Sequence, residues 1–193
     1  MILGITGGTG CGKTTLLSII AEHGGLVIDC DKLYHDLLRT DTSLLQKIEN
    51  RFPSVVNDGV LERKELGKLV FGNQTALHDL NTITQPFILD AVSALLSQKP
   101  KLAAIDAIRL FESGLDKFCD ITVAVTAPTE LRIERLMQRD RISREYATDR
   151  IFAQPNSAYY SHRCDYALSN DGTEEEFRNK CLVFLKEQAI ITL

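Results

Sequence analysis

No stretch of this 193-residue sequence approaches the roughly 20 consecutive apolar residues that a membrane-spanning helix needs. The start has no basic flank, and its apolar run stops at Gly7-Gly8, so it does not read as a signal peptide. There is no Cys-x-x-Cys pair: the five cysteines (Cys11, Cys30, Cys119, Cys164, Cys181) are odd in number and far apart, which argues against a disulfide framework or a zinc site. His23, His35, His78 and His162 are equally scattered and read as surface or packing residues rather than metal ligands. Positive charge is not in excess either. With 22 basic against 26 acidic residues and a net charge of −4, a general nucleic-acid scaffold is excluded, though a local basic patch for a small anion is not. Repeats, low-complexity tracts and flexible linkers are absent as well. The expectation is a globular cytoplasmic protein, monomeric or weakly self-associating, with neither nucleic acid nor membrane as partner.

What is present is an alternation of short apolar runs and longer helical patterns. Ile2 to Thr6, Leu26 to Asp29, Leu102 to Ile105, Ile121 to Thr126 and Tyr166 to Leu168 read as strands. Helix spacing covers Thr14 to Glu22, Lys32 to Arg39, Ser43 to Phe52, Glu62 to Phe71, Ala76 to Thr84 and Phe87 to Ser97. Breaks are expected at Pro53, Asp58-Gly59, Gly72-Asn73 and Pro86. Thr129 to Asp140 and Ser143 to Gln154 follow as helices with Thr and Ser as N-caps, and Thr173 to Glu176 forms a capping box for a last helix. Strands separated by helices imply a parallel sheet covered on both faces. The predicted fold is α/β of the P-loop NTPase type: a core at 1–30, 101–128 and 164–193, a helical substrate region at 31–100, and an arginine-rich lid at 129–163.

Gly7-Gly8-Thr9-Gly10-Cys11-Gly12-Lys13-Thr14 fits Gly-x-x-x-x-Gly-Lys-Ser/Thr in full, between a predicted strand and a predicted helix. Glycines let backbone N–H groups turn toward phosphate oxygens, and the helix start adds unpaired donors and a favourable dipole. The motif assigns nucleoside triphosphate binding to Gly8, Gly10, Cys11, Gly12, Lys13, Thr14 and Thr15. Lys13 is to reach the β- and γ-phosphates, Thr14 to ligate Mg²⁺, and Thr15 to contact the α-phosphate. Cys11, near a helix N-terminus, reads either as a thiol of lowered pKa or as a small residue in a tight loop.

Asp29 and Asp31 follow the second strand, where ligands of open α/β sheets bind, and a carboxylate there suits the proton of an acceptor hydroxyl. On an extended chain the two point the same way; alternatively, one of them caps the next helix. Asp106 ends an apolar run and reads equally as a water-mediated Mg²⁺ contact or a strand-end cap. Arg132, Arg135, Arg139, Arg141, Arg144 and Arg150 cluster without a lysine, as phosphate recognition and a closing lid would require.

The order and spacing of these motifs resemble dephospho-coenzyme A kinases over nearly the whole length. The resemblance rests on Ile5 to Thr15, Val27 to Asp31, Asp58 to Arg63 with Leu66, Val70-Phe71, Leu80-Asn81, Leu110-Phe111-Glu112, Leu136 to Asp140, Ser143-Arg144-Glu145, Gln154, and Asp165 to Gly172. It implies ATP and Mg²⁺ as cofactors and dephospho-coenzyme A as acceptor, phosphorylated on its ribose 3′-hydroxyl. It further implies Asp31 as the carboxylate acting on that hydroxyl, Arg139 as a lid arginine at the moving phosphoryl group (Arg144 ranking second), Asn170 beside adenine, and Arg63 and Glu112 on the acceptor side. Three departures fall there: Gln85-Pro86 replaces the family's His-Pro, Ile108-Arg109-Leu110 its Pro-Leu-Leu, and 155–160 lacks an arginine. Gln85 can still hydrogen-bond an acceptor, and Arg109 would favour a pyrophosphate. The runner-up reading is a nucleoside or nucleotide kinase of the same plan. A nucleotide-dependent switch or motor is disfavoured by the lack of a switch loop.

Overall fold

The computed structural model describes residues 1–191. In chain order the chain forms β1 (Ile2–Thr6), α1 (Lys13–Glu22), β2 (Leu26–Asp29), α2 (Cys30–Thr40), α3 (Thr42–Arg51), β3 (Val56–Asn57), β4 (Val60–Leu61), α4 (Arg63–Val70) and α5 (Gln74–Leu96). Then come β5 (Ala103–Asp106), a 3-10 turn at Leu115–Phe118, β6 (Ile121–Thr126), α6 (Thr129–Asp140), α7 (Arg144–Phe152), α8 (Ser157–Ser161), β7 (Tyr166–Ser169) and α9 (Glu174–Glu187). Two compact units result: Met1–Ile28 with the chain from Lys99 onward, and Asp29–Gln98.

The first unit is built on a five-stranded sheet of order β2-β5-β1-β6-β7, in which β1 pairs in parallel with β5 and β6, and β6 with β7. Leu3 and Ile5 on the central strand are wholly buried, as expected where helices cover both faces. One core joins α1 (Leu16, Ile19, Ile20) and α9 (Phe177, Cys181, Leu185) to the sheet through Leu3, Ile5, Val123 and Val125. Ile5 pairs with Asp106, so the carboxyl ends of β1 and β5 open side by side. α6 and α7 share a smaller core of Ile133, Leu136, Ala147 and Ile151. Pro128, rather than Thr129, occupies the α6 N-cap, while Ser143 caps α7 as expected and Thr173 with Glu176 closes the capping box of α9.

The base of the β6·β7 pair is tied by Asp165, whose Oδ2 accepts from the Thr122 N–H at 2.8 Å and the Thr122 hydroxyl at 2.7 Å. These bonds hold the Asp165 carboxyl below the usual carboxylate range. Asp165→Ala is expected to cost about 1 kcal/mol at pH 7, since the site is exposed. Because the folded pKa is depressed, this contribution is complete above the unfolded carboxylate value and fades as pH falls through the folded one. Urea unfolding of both proteins at pH 7 and near pH 3 would show it, and an equal gap at both would contradict it.

The second unit is helical. Asp29, Asp41 and Asn73 cap α2, α3 and α5, each accepting from the third helical residue's N–H. Its core collects Leu38, Leu44, Ile48, Phe52, Leu61, Leu66 and Leu80. Two expectations change here. The break predicted at Pro86 does not occur, and α5 runs unbroken for 23 residues. Its buried residues lie on both sides of the proline (Leu80 and Thr84 before, Val92 after), so packing outweighs one missing backbone bond. Asp58-Gly59 is more than a break: both residues take positive φ and join β3 to β4 in an antiparallel ribbon, as primed hairpin turns require.

Candidate active site

The phosphate loop leaves β1 at Gly7, with φ 138°, where a Cβ would lie 2.1 Å from the Val125 carbonyl oxygen. It enters α1 through Gly12, which is left-handed at φ 93°. No side chain caps α1, which leaves its start open to an anion. A Cβ at Gly12 would sit 2.2 Å from Asn170 Nδ2. Both positions therefore require glycine for conformation and for space. Lys13 lies along the loop, its Nζ donating to the Gly7 carbonyl at 3.0 Å and standing 3.8 Å from Asp106 Oδ1. The ammonium is thus held at the carboxyl ends of β1 and β5 before any phosphate arrives. Thr14 is exposed in the first turn of α1, and the Thr15 N–H donates to the Gly12 carbonyl at 3.2 Å.

Side chains from outside the loop hold its carbonyls. Arg132 Nε donates to the Thr9 carbonyl at 2.9 Å, Arg135 Nη1 to the Gly10 carbonyl at 3.4 Å, and Asn170 Nδ2 to the Cys11 carbonyl at 2.9 Å. Arg135 Nη2 also donates to Asn170 Oδ1 at 3.1 Å. The Thr9 N–H donates to Gln154 Oε1 at 2.8 Å, while Gln154 Nε2 donates to the Thr9 hydroxyl at the same distance. Asn170 is buried and its amide is engaged by the loop and Arg135. In this arrangement it shapes the phosphate loop.

Cys11 is buried, and its thiol donates to the Gly8 carbonyl. Burial pushes its pKa up, against the opposing pull of Lys13, Arg132 and Arg135. The lowered value considered from its helix-terminal position is therefore corrected: desolvation outweighs the helix and its neighbouring cations. Alkylation of native Cys11 by iodoacetamide at pH 8 is expected to be at least about tenfold slower than in urea. Peptide mass mapping over time would read it, and equal rates in the two states would refute the burial account.

The chain does not stay extended from Asp29 to Asp31. Helix α2 starts at Cys30, and Asp29 becomes its N-cap, with Oδ1 accepting from the Lys32 N–H at 2.9 Å. Asp31 stands exposed in the first helical turn. Also in the second unit, Arg63 opens α4 with Nη2 3.0 Å from His35 Nδ1, and Gln85 is half-buried within α5. In the first unit, Arg139 forms a two-pronged pair with Asp140, Nε–Oδ1 2.7 Å and Nη2–Oδ2 3.0 Å, and Arg150 binds the same carboxylate. The two guanidiniums hold the Asp140 carboxyl down at about 2. Arg144 pairs with Glu130 on the surface.

A sequence profile of dephospho-CoA kinases matches residues 1–176. The chain belongs to the dephospho-CoA kinase family. The family's enzyme from Latilactobacillus sakei subsp. sakei is 36% identical over 181 residues, covering 91% of this chain and 90% of that one. Among solved structures, a Thermus thermophilus protein is similar with a TM-score of 0.81 and 30% identity, covering 97% of each chain. The dephospho-CoA kinase from Campylobacter jejuni gives a TM-score of 0.67 at 28% identity, covering 96% of each.

Against that membership, two residues near Glu112 gain interest that sequence reading did not give them. The Tyr159 hydroxyl donates to Glu112, and Arg163 donates to the Tyr159 hydroxyl and reaches Glu112 Oε1 at 3.5 Å. Burial and Glu112 push the Tyr159 pKa up, while Arg163 and exposed Arg109 oppose them. An arginine thus stands against Glu112 from position 163, beyond the 155–160 segment that lacks one. Arg132 and Arg135 were visible as members of the arginine cluster. Which of them face the phosphate loop depends on how α6 packs, and no local pattern carries that.

Proposed function

We propose that this protein transfers the γ-phosphoryl group of ATP to the ribose 3′-hydroxyl of dephospho-coenzyme A, giving coenzyme A and ADP. The observation that carries the reading is a full phosphate loop with Lys13 held at its mouth, in a chain that belongs to the dephospho-CoA kinase family. Lys13 binds the β- and γ-phosphates and offsets negative charge as the bond to the leaving oxygen lengthens. Asp31 accepts or orients the proton of the attacking hydroxyl. Arg139 leaves Asp140 to meet the moving phosphoryl group, a change eased by the exposure of the Arg139 side chain and by Arg150, which still holds Asp140. Asp29 acts through the α2 cap that fixes Asp31. Arg63, Gln85, Arg109 and Glu112 bind the acceptor, with Arg109 and Arg63 supplying charge for its phosphates.

Hard oxygen donors suit Mg²⁺, and the exposed Thr14 hydroxyl and the Asp106 carboxylate 3.8 Å from Lys13 Nζ fit it, the second through water. Mg²⁺ held there would supply positive charge against the negative charge of the transferring phosphates. The protein acts as a monomer or weak homo-oligomer in the cytoplasm. ATP consumption with dephospho-coenzyme A beside adenosine, cytidine, uridine and thymidine tests the acceptor. The expected result is dephospho-coenzyme A turned over fastest at equal concentration. A plain nucleoside turned over faster would leave only a generic P-loop kinase.

A further inference from the structure

Arg132 is 3% exposed and is the one charged side chain that is buried among the described residues. Its surroundings do not neutralise it. No carboxylate forms an ion pair with it among the described residues, and its Nε and Nη2 are engaged by neutral acceptors, the Thr9 carbonyl and Gln154 Oε1. It lies at the fourth position of α6, where the positive end of the helix dipole disfavours a cation. Arg135, one turn on, is also bonded to the phosphate loop, as is Lys13. A buried cation in such company is costly unless an anion answers it.

The contacts of Arg132 are directed as well as charged. By drawing the Thr9 carbonyl toward α6, it turns the N–H of the same planar peptide, that of Gly10, the opposite way. Its Nη2 lies 3.3 Å from Gln154 Oε1 and so fixes which end of that amide meets the Thr9 N–H and which meets the Thr9 hydroxyl. A Cβ at Gly8 would fall 2.3 Å from Arg132 Nη2, so the guanidinium packs directly against the loop.

We propose that Arg132 is a positioning residue that sets the Thr9–Gly10 peptide through its carbonyl and Gln154, and whose unanswered charge is balanced by the phosphates of the nucleotide. The nucleotide-free protein therefore carries an electrostatic cost at this loop that ATP binding relieves. A residue that only filled the core would stabilise both states alike.

Arg132→Gln and Gln154→Ala in the full chain separate these readings. Melting temperature without nucleotide, and ATP affinity by calorimetry without acceptor, are the measurements. Without nucleotide, Arg132→Gln is expected to melt within about 3 °C of the parent or above it, because removing the unanswered charge offsets the hydrogen bonds lost. Its ATP affinity should fall about tenfold to a hundredfold, and the ATP-driven rise in melting temperature should shrink with it. A clearly lower melting temperature with unchanged ATP affinity would assign Arg132 to packing and overturn the proposal. Should Arg132→Gln fail to fold, Gln154→Ala decides: weaker ATP binding with a melting temperature near that of the parent supports the clasp on Thr9, and unchanged ATP binding overturns it. Since binding is read without acceptor, an error in the acceptor's identity would leave these results as they are.

Discussion

Lys13→Ala is expected to lower kcat/KM for ATP by about a thousandfold while the circular dichroism spectrum stays that of the parent. Two effects combine. The ammonium that would meet the phosphates is lost, and the Asp106 carboxylate it faces at 3.8 Å is left to repel them. The fold should survive, because α1 is anchored by Leu16, Leu17, Ile19 and Ile20, all on the far side of the loop in sequence. Lys13→Arg is expected to recover only part of the activity, since a wider fork cannot take the same seat on the Gly7 carbonyl. Turnover near the parent rate in folded Lys13→Ala would remove the phosphate-loop assignment.

The second large effect is expected at Asp31. Asp31→Asn should reduce kcat by about a hundredfold to ten-thousandfold and leave ATP affinity within about twofold, as removal of a group acting on the acceptor's proton would. Asp29 provides the internal control. Its carboxylate is the cap of α2, bonded to the Lys32 N–H, and asparagine caps about as well as aspartate. Asp29→Asn should therefore be mild, whereas Asp29→Ala should cost about 1 kcal/mol of stability. An inactive Asp29→Asn beside an active Asp31→Asn would exchange the two roles.

The particular residues explain why some of this could be read from sequence. The phosphate loop is local: glycine spacing, the lysine and the flanking apolar run all sit within a dozen positions, and loop and helix form where expected. The capping box at Thr173 is local for the same reason. Pro86 misled because its cost is local while the burial that overrides it is tertiary. The Asp58-Gly59 hairpin was within reach, since that dipeptide is a strong signal for a primed turn. Asn170 and Arg132 are another matter. Their bonds to Cys11 and Thr9 span well over a hundred residues of chain, and no periodicity records them. For the arginines, composition announced a phosphate-binding cluster, but position on α6 decided which members reach the loop.

The same long spans bear on how the chain is made. β1 is made before the other strands of its sheet, yet it is the middle strand, with Leu3 paired to Ala104 on one side and Ile121 on the other. Its neighbours are synthesised about a hundred residues later, after the whole helical unit of 29–98. That unit has its own apolar centre, drawn wholly from residues 29–98, so it can close before the sheet is complete. The strand carrying the phosphate loop must wait with both edges unpaired, a state that invites association with other chains. Asn170 arrives later still, so ATP has no finished loop to hold until that residue has been made. Nucleotide can protect the completed protein, but the nascent chain must pass its most exposed stage without it.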